Sequence, residues 1–264
     1  MDPLTHFLDG PRAARAFALA VQMSAPWGIT VRDKAALTVL AVTQGEACVD
    51  GVLLGKGDVV LVRGPEPYEV TDAAGSVPTF DIGPGQLCTT GDGHDVRDQL
   101  RHGIRRWGNA EDGETSLLVG TYERPDQAGG IVARSLPRLA VVRRENADST
   151  LVELLARELT HDGPAAQVVV DRLLDVLVVS TIRTWFDSPG SSAGSAWMAC
   201  DDPVVISALL LQGPNTITIS QIAHAVGYTN AYSFSTAFKR CLGTTPTEFR
   251  HRKPVLSDGM PGEL

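Results

Sequence analysis

The strongest constraint on this chain lies near its C-terminus, where residues 217–250 carry start and stop signals for three short helices in succession. Thr218-Ile-Ser-Gln221 has the form of a capping box, in which the Thr hydroxyl and the Gln side chain reciprocally satisfy free backbone N–H groups. Ile217 before it and Ile222 after it are placed as a hydrophobic staple. Ile219, Ile222, Ala223 and Val226 recur at helical spacing and form one apolar stripe. Gly227 ends that helix, because the exit turn wants a residue at ease with positive φ. Asn230 is a good N-cap for the next helix, whose stripe is Phe234, Ala237, Phe238, Cys241 and Leu242. Gly243 stops it, and Thr245-Pro-Thr-Glu248 opens a last short helix with Pro at the first helical position and Glu closing a second box. Two helices either side of a short Gly-containing turn make a helix-turn-helix.

Upstream the pattern is different. Residues 2–23 read as an amphipathic helix, with Phe7, Leu8, Ala14, Phe17, Ala18 and Val21 on one broad face. Residues 27–122 read as β. Ala36–Val42 suits a buried strand, and Ala47–Val49 and Val52–Leu54 flank Asp50-Gly51, a strong hairpin signal. Val59–Val62, Tyr68–Thr71, Thr79–Ile82 and Ser116–Tyr122 are further strands. Short strands with Gly/Pro turns point to a small barrel or sandwich. Thr150-Leu-Val-Glu153 then opens a helix with Leu151, Leu154, Leu155 and Leu159 on one face, and Ala165–Phe186 is a longer, very apolar helix. That second helix either packs under the barrel or makes a dimer interface, or both. The Ser/Gly/Pro run 188–195 is the clearest linker. The expected domains are therefore 1–187, a linker at 188–200, 201–253, and a disordered tail at 254–264.

Charge divides along the same line. The chain carries −8, yet Thr216 to Lys253 holds five basic residues against one acid, leaving −12 for the rest. A basic tail on an acidic body is the pattern expected if only the tail meets phosphates. Four scattered cysteines with no C-x-x-C pair form neither a zinc ribbon nor a disulfide scaffold. The N-terminus lacks the features of an export signal, and no apolar run has the length of a membrane span, so the expected location is the cytoplasm with no membrane partner.

The second helix of the pair is the expected reader. Its outward residues Ala231, Tyr232, Ser235, Thr236 and Lys239 can lie against base edges, with Asn230 at its start, while Arg240, Arg250, Arg252 and Lys253 meet phosphates. Periodicity alone leaves room for an ordinary helical bundle. The residues go further. IAHAVGYTNAYSFSTAFKRCLGTTPTEFR closely resembles the second helix-turn-helix of AraC/XylS-type regulators, with Ile219, Ile222, Ala223, Gly227, Tyr228, Phe234, Phe238, Lys239, Gly243, Thr245, Pro246, Phe249 and Arg250 in register. GDVVLVRGPEPYEV (57–70) and LLVGTYE (117–123) resemble the cupin-type sensor domain of a subgroup of these proteins. The resemblance implies an α+β chain: an N-terminal cupin-like β-barrel with a helical hairpin, then a small all-α helix-turn-helix domain. It implies a sequence-specific, effector-responsive transcription regulator that binds double-stranded DNA, takes a small-molecule effector and forms a homodimer.

Family members carry two helix-turn-helix units over about a hundred residues. Only some fifty residues separate Asp202 from Arg252. Asp201–Leu209 resembles the family's entry helix into its first unit and Leu210–Pro214 the lead-in to its second, so the first unit and most of the linker helix are missing between them. The alternative reading is a truncated relative that does not bind DNA and acts by dimerising with full-length partners. A third, a cupin-fold enzyme, is disfavoured: residues 30–82 contain no His, Tyr68 stands where a ligand His would be, and His94 and His102 lie in a polar loop segment with Asp92 and Asp95. No metal, cofactor or catalytic chemistry is expected. Trp27, Arg63, Glu66 and Tyr68 are the candidate effector-pocket residues, each equally suited to rim or packing.

Overall fold

The upstream alternation folds into two six-stranded sheets. The computed structural model describes residues 17–123, 136–161, 163–188, 218–225, 227–242 and 244–251, in two units drawn from 4–195 and 196–264. In the larger unit the strands are β1 (Phe17–Met23), β2 (Gly28–Val31), β3 (Leu37–Gln44), β4 (Glu46–Val49), β5 (Val52–Gly55), β6 (Val59–Arg63), β7 (Tyr68–Thr71), β8 (Phe80–Gly83), β9 (Leu87–Thr90), β10 (Arg106–Gly108), β11 (Thr115–Tyr122) and β12 (Leu139–Val142). The first sheet runs β10-β1-β11-β3-β6-β12 and the second β5-β4-β7-β2-β8-β9. A one-turn helix, α1 (Arg97–Leu100), precedes β10. The hairpin α2 (Ser149–Leu159) and α3 (Ala166–Asp187) follows β12.

Strand β3 shows why its sequence is continuously apolar. Leu40 and Val42 enter the core between the sheets with Trp27, Ile29, Val60 and Leu117. Leu37, Val39 and Ala41, pointing the other way, are equally buried, and α2 and α3 pack against the first sheet on that side. A strand covered on both faces has no polar face to show. Gly120 of β11 makes the close helix contact possible: a Cβ there would lie 2.3 Å from Leu174 Cδ1. The longer helix thus packs on the barrel, while Val168, Val169 and Val176 on its outward side stay exposed.

Two local expectations are corrected. Phe17–Met23 is a strand, pairing antiparallel with β11 and parallel with β10. Its Ala and Leu favour a helix weakly, and two flanking strands outweigh that preference. The cap of α2 is Asp148, whose side chain accepts from Leu151 N–H at 3.1 Å, rather than Thr150. The Asp50-Gly51 hairpin forms as expected, both residues at positive φ (44° and 82°). Expectations for residues 2–16, 189–217, Val226, Gly243, Arg252, Lys253 and the tail lie outside the described residues, as do the side chains of Cys241 and Leu242.

Candidate nucleic-acid interface

In the smaller unit each helix carries the cap its sequence announced. Thr218 N–H donates to Gln221 Oε1 (2.8 Å) and Gln221 N–H to Thr218 Oγ1 (3.2 Å), opening α4 (Ile219–Ala225). The exit is a Schellman turn: Tyr228 N–H reaches Ala223 O (2.8 Å), Gly227 N–H reaches His224 O (3.1 Å), and Gly227 sits at φ 86°. Asn230 Oδ1 accepts from Ser233 N–H (2.8 Å) to open α5 (Ala231–Leu242). Thr245 N–H donates to Glu248 Oε2 (2.9 Å) and Glu248 N–H to Thr245 Oγ1 (3.3 Å) at α6 (Pro246–His251). The Thr245 N–H first, then the Thr245 and Thr244 hydroxyls, hold the Glu248 carboxyl below its usual range.

A chain of rings joins the turn after α4 to α5 and α6. Tyr228 meets Phe234 at 5.6 Å between centroids, Phe234 meets Phe238 at 5.6 Å, and Phe238 meets Phe249 at 5.5 Å, all edge to face. Phe234, Phe238, Ile222 and Ala223 are fully buried. With that stripe inward, the opposite face of α5 presents Tyr232 (82% exposed), Ser233, Thr236, Lys239 and Arg240.

The sequence-derived set divides accordingly. Tyr232, Thr236, Lys239 and Arg240 share the open face. Thr236 donates its hydroxyl back to Tyr232 O (3.0 Å), which leaves its oxygen to accept. Ala231, Ser235 and Arg250 are half-buried, and Asn230 is exposed with its amide oxygen committed to the cap. Ser233 belongs to the open face and was missed. Counting 100° per residue from Phe234 and Phe238 would have found it.

A second candidate site lies in the barrel, a cavity of about 360 Å³. Val21, Ile29, Leu117 and Trp107 wall it, and Asp33, Gln86, Arg101 and Arg106 stand among the polar residues that line it. Of the four residues named for a pocket from sequence, Tyr68 reaches this wall. Burial pushes the Tyr68 phenol up, so it stays protonated. Trp27 is buried in the core, Glu66 pairs with Arg138 at 3.6 Å, and Arg63 is half-buried at the end of β6. Burial likewise raises the Asp33 carboxyl. Among the described residues no group of three or more His, Cys, Asp or Glu side chains is placed to hold a metal ion, and no helix is long and apolar enough to cross a membrane.

Comparison with known proteins gives these two sites a setting. Residues 2–187 match the family model described as Cupin, and residues 205–252 match that described as Helix-turn-helix domain. An AraC-like transcription regulator of Streptomyces antibioticus is 24% identical over 314 aligned positions, covering 95% of this chain and 98% of its own. One of Streptomyces lividans is 22% identical over 313, with the same coverage. Since 95% of 264 residues is about 251, some 60 positions of each alignment face no residue of this chain. ToxT of Vibrio cholerae overlays 89% of this chain and 97% of its own at 10% identity and a TM-score of 0.33, too loose an overlay to speak for any arrangement.

Proposed function

The chain belongs to the cupin family through residues 2–187 and is a DNA-binding transcription regulator of AraC type, and from that premise we propose that it reads sequence with the open face of α5 under control of an effector held in the barrel. The observation that carries the reading is the set Tyr232, Ser233, Thr236, Lys239 and Arg240, exposed together on a helix capped at its start and locked from behind by rings. Tyr232, Ser233 and Thr236 offer hydrogen bonds at base edges in the major groove. Lys239 and Arg240 supply phosphate contacts that fix register.

One reading unit per chain is the reading supported by the roughly 60 aligned positions that this chain leaves empty. A single unit engages one groove segment, so two copies together make up a full site. The outward valines of α3 are the proposed meeting face of a homodimer. The barrel cavity falls within the usual size range of small-ligand sites, roughly 300–1,000 Å³, and takes the effector.

Enrichment of duplexes from a random pool tests the reading. The expected outcome is a short preferred motif in two copies. Ser233→Ala shifts the preference at one position, Arg240→Ala weakens all sequences alike, and Val176→Asp reduces binding to the paired motif while leaving single-motif binding unchanged. Recovery of no motif contradicts it.

A further inference from the structure

The rim of the barrel cavity is basic although the chain as a whole is acidic. The chain carries −8, but the ten residues 97–106 hold Arg97, Arg101, Arg105 and Arg106 against the single acid Asp98. Arg97 is committed to Asp95 at 2.8 Å. Arg105 is buried and donates to Gln167 Oε1 (3.1 Å) and His161 O (3.3 Å), which ties this segment to the start of α3. Arg101 and Arg106 are different. Both are exposed and both line the cavity. Their hydrogen bonds go to carbonyls of their own loop, Arg101 Nε to Gly103 O (3.1 Å) and Arg106 Nη2 to His102 O (3.3 Å). Among the described residues neither meets a carboxylate.

The wall behind them is apolar. Leu19 and Val21 of β1, Val119 and Leu117 of β11, and Val31 and Ile29 of β2 line it in steps along their strands. Trp107 adds a buried indole whose N–H finds no nitrogen or oxygen acceptor among the described residues, with only the weakly accepting Cys88 sulfur beside it. The opposing acids at the rim are Asp33 and Asp98. Asp33 is half-buried and already accepts from Ala35 N–H (3.0 Å), and Asp98 stands open on α1.

We propose that this cavity takes an amphipathic organic anion, its apolar body between the sheets and its carboxylate-type head on Arg101 and Arg106. Guanidinium forks match a planar oxyanion in a charge-assisted pair, and they do so at the edge of a wall that favours hydrocarbon. The proposal rests on the effector reading above and narrows it to a chemical class.

Calorimetric titration of the full chain with octanoate, octan-1-ol and octylammonium, which share a tail and differ in head charge, tests it. Octanoate binds at least tenfold tighter than the alcohol. In Arg101→Gln/Arg106→Gln, octanoate falls to the alcohol's affinity while the alcohol's own is unchanged. Both replaced side chains are exposed, so the variant keeps the parent's melting temperature. Alcohol binding as tightly as octanoate, tightest binding of the ammonium, or undiminished octanoate binding in the double variant overturns the anion proposal and leaves the effector reading standing. Absence of binding by all three overturns both.

Discussion

Strand β1 draws its partners from Arg106–Gly108 and Thr115–Thr121, about a hundred positions away, whereas the ring chain of the smaller unit draws on residues 228–249 alone. The barrel is held by close packing between distant segments. The smaller unit is held by local caps and four aromatic side chains. The difference predicts different failures. The barrel should be intolerant of extra atoms where segments meet, and the smaller unit intolerant of lost rings and lost caps.

The largest effect is expected from Phe238→Ala. It removes the central ring of the chain from a fully buried site, at a cost of about 3–5 kcal/mol. A unit this small has little stability in reserve. Calorimetry should show its transition lost and the barrel's unmoved, and loss of both would break the comparison. Next is Gly120→Val, which drives side-chain atoms into Leu174 and Val39 where α3 crosses β11. Overpacking there costs about 1–3 kcal/mol. The barrel's transition should fall and the smaller unit's stay.

Asp58 sharpens the comparison through pH. It is buried, and burial opposes its ionisation. The Gly55 N–H (3.0 Å), the Arg143 guanidinium (2.7 Å) and the Arg144 N–H (2.9 Å) together outweigh burial and hold its carboxyl below the usual range. A carboxyl lowered on folding contributes stability that is complete above its unfolded pKa of about 3.9 and is lost as pH falls through the lower native value. Asp58→Asn should cost the barrel about 2 kcal/mol at neutral pH and flatten its acid unfolding below about pH 4. An unchanged acid profile would contradict the assignment. Asn230→Ala is expected to be smallest, about 1 kcal/mol of the smaller unit's stability from the lost cap. Asn230→Asp should restore it.

The same contrast sets what was legible beforehand. Caps at Thr218, Asn230 and Thr245, the Gly227 exit and the inward rings are local signals, so the three described helices of the smaller unit followed from spacing. So did the Asp50-Gly51 hairpin and most strands after Ala36. Phe17–Met23 did not, since the strands that make it β lie far along the chain. The cavity was illegible for that reason. Its wall combines β1, β2, β10 and β11, and its rim arginines read as an ordinary polar loop. Ser233 was missed for a smaller cause, its neighbour Ser235 having been preferred without reference to the helical angle.

Sequence-specific regulation by this chain stands or falls on α5 as a working reader. Its most direct test is a salt titration of binding to a selected and a random duplex, with Tyr232→Ala/Lys239→Ala beside the parent. The parent is expected to prefer the selected duplex at every salt concentration. The variant should keep its fold, lose the preference, and show a salt slope lower by about one for the missing phosphate contact. Equal, weak binding of parent and variant to both duplexes, seen only at low salt, would contradict it and leave the chain a partner that acts by dimerisation.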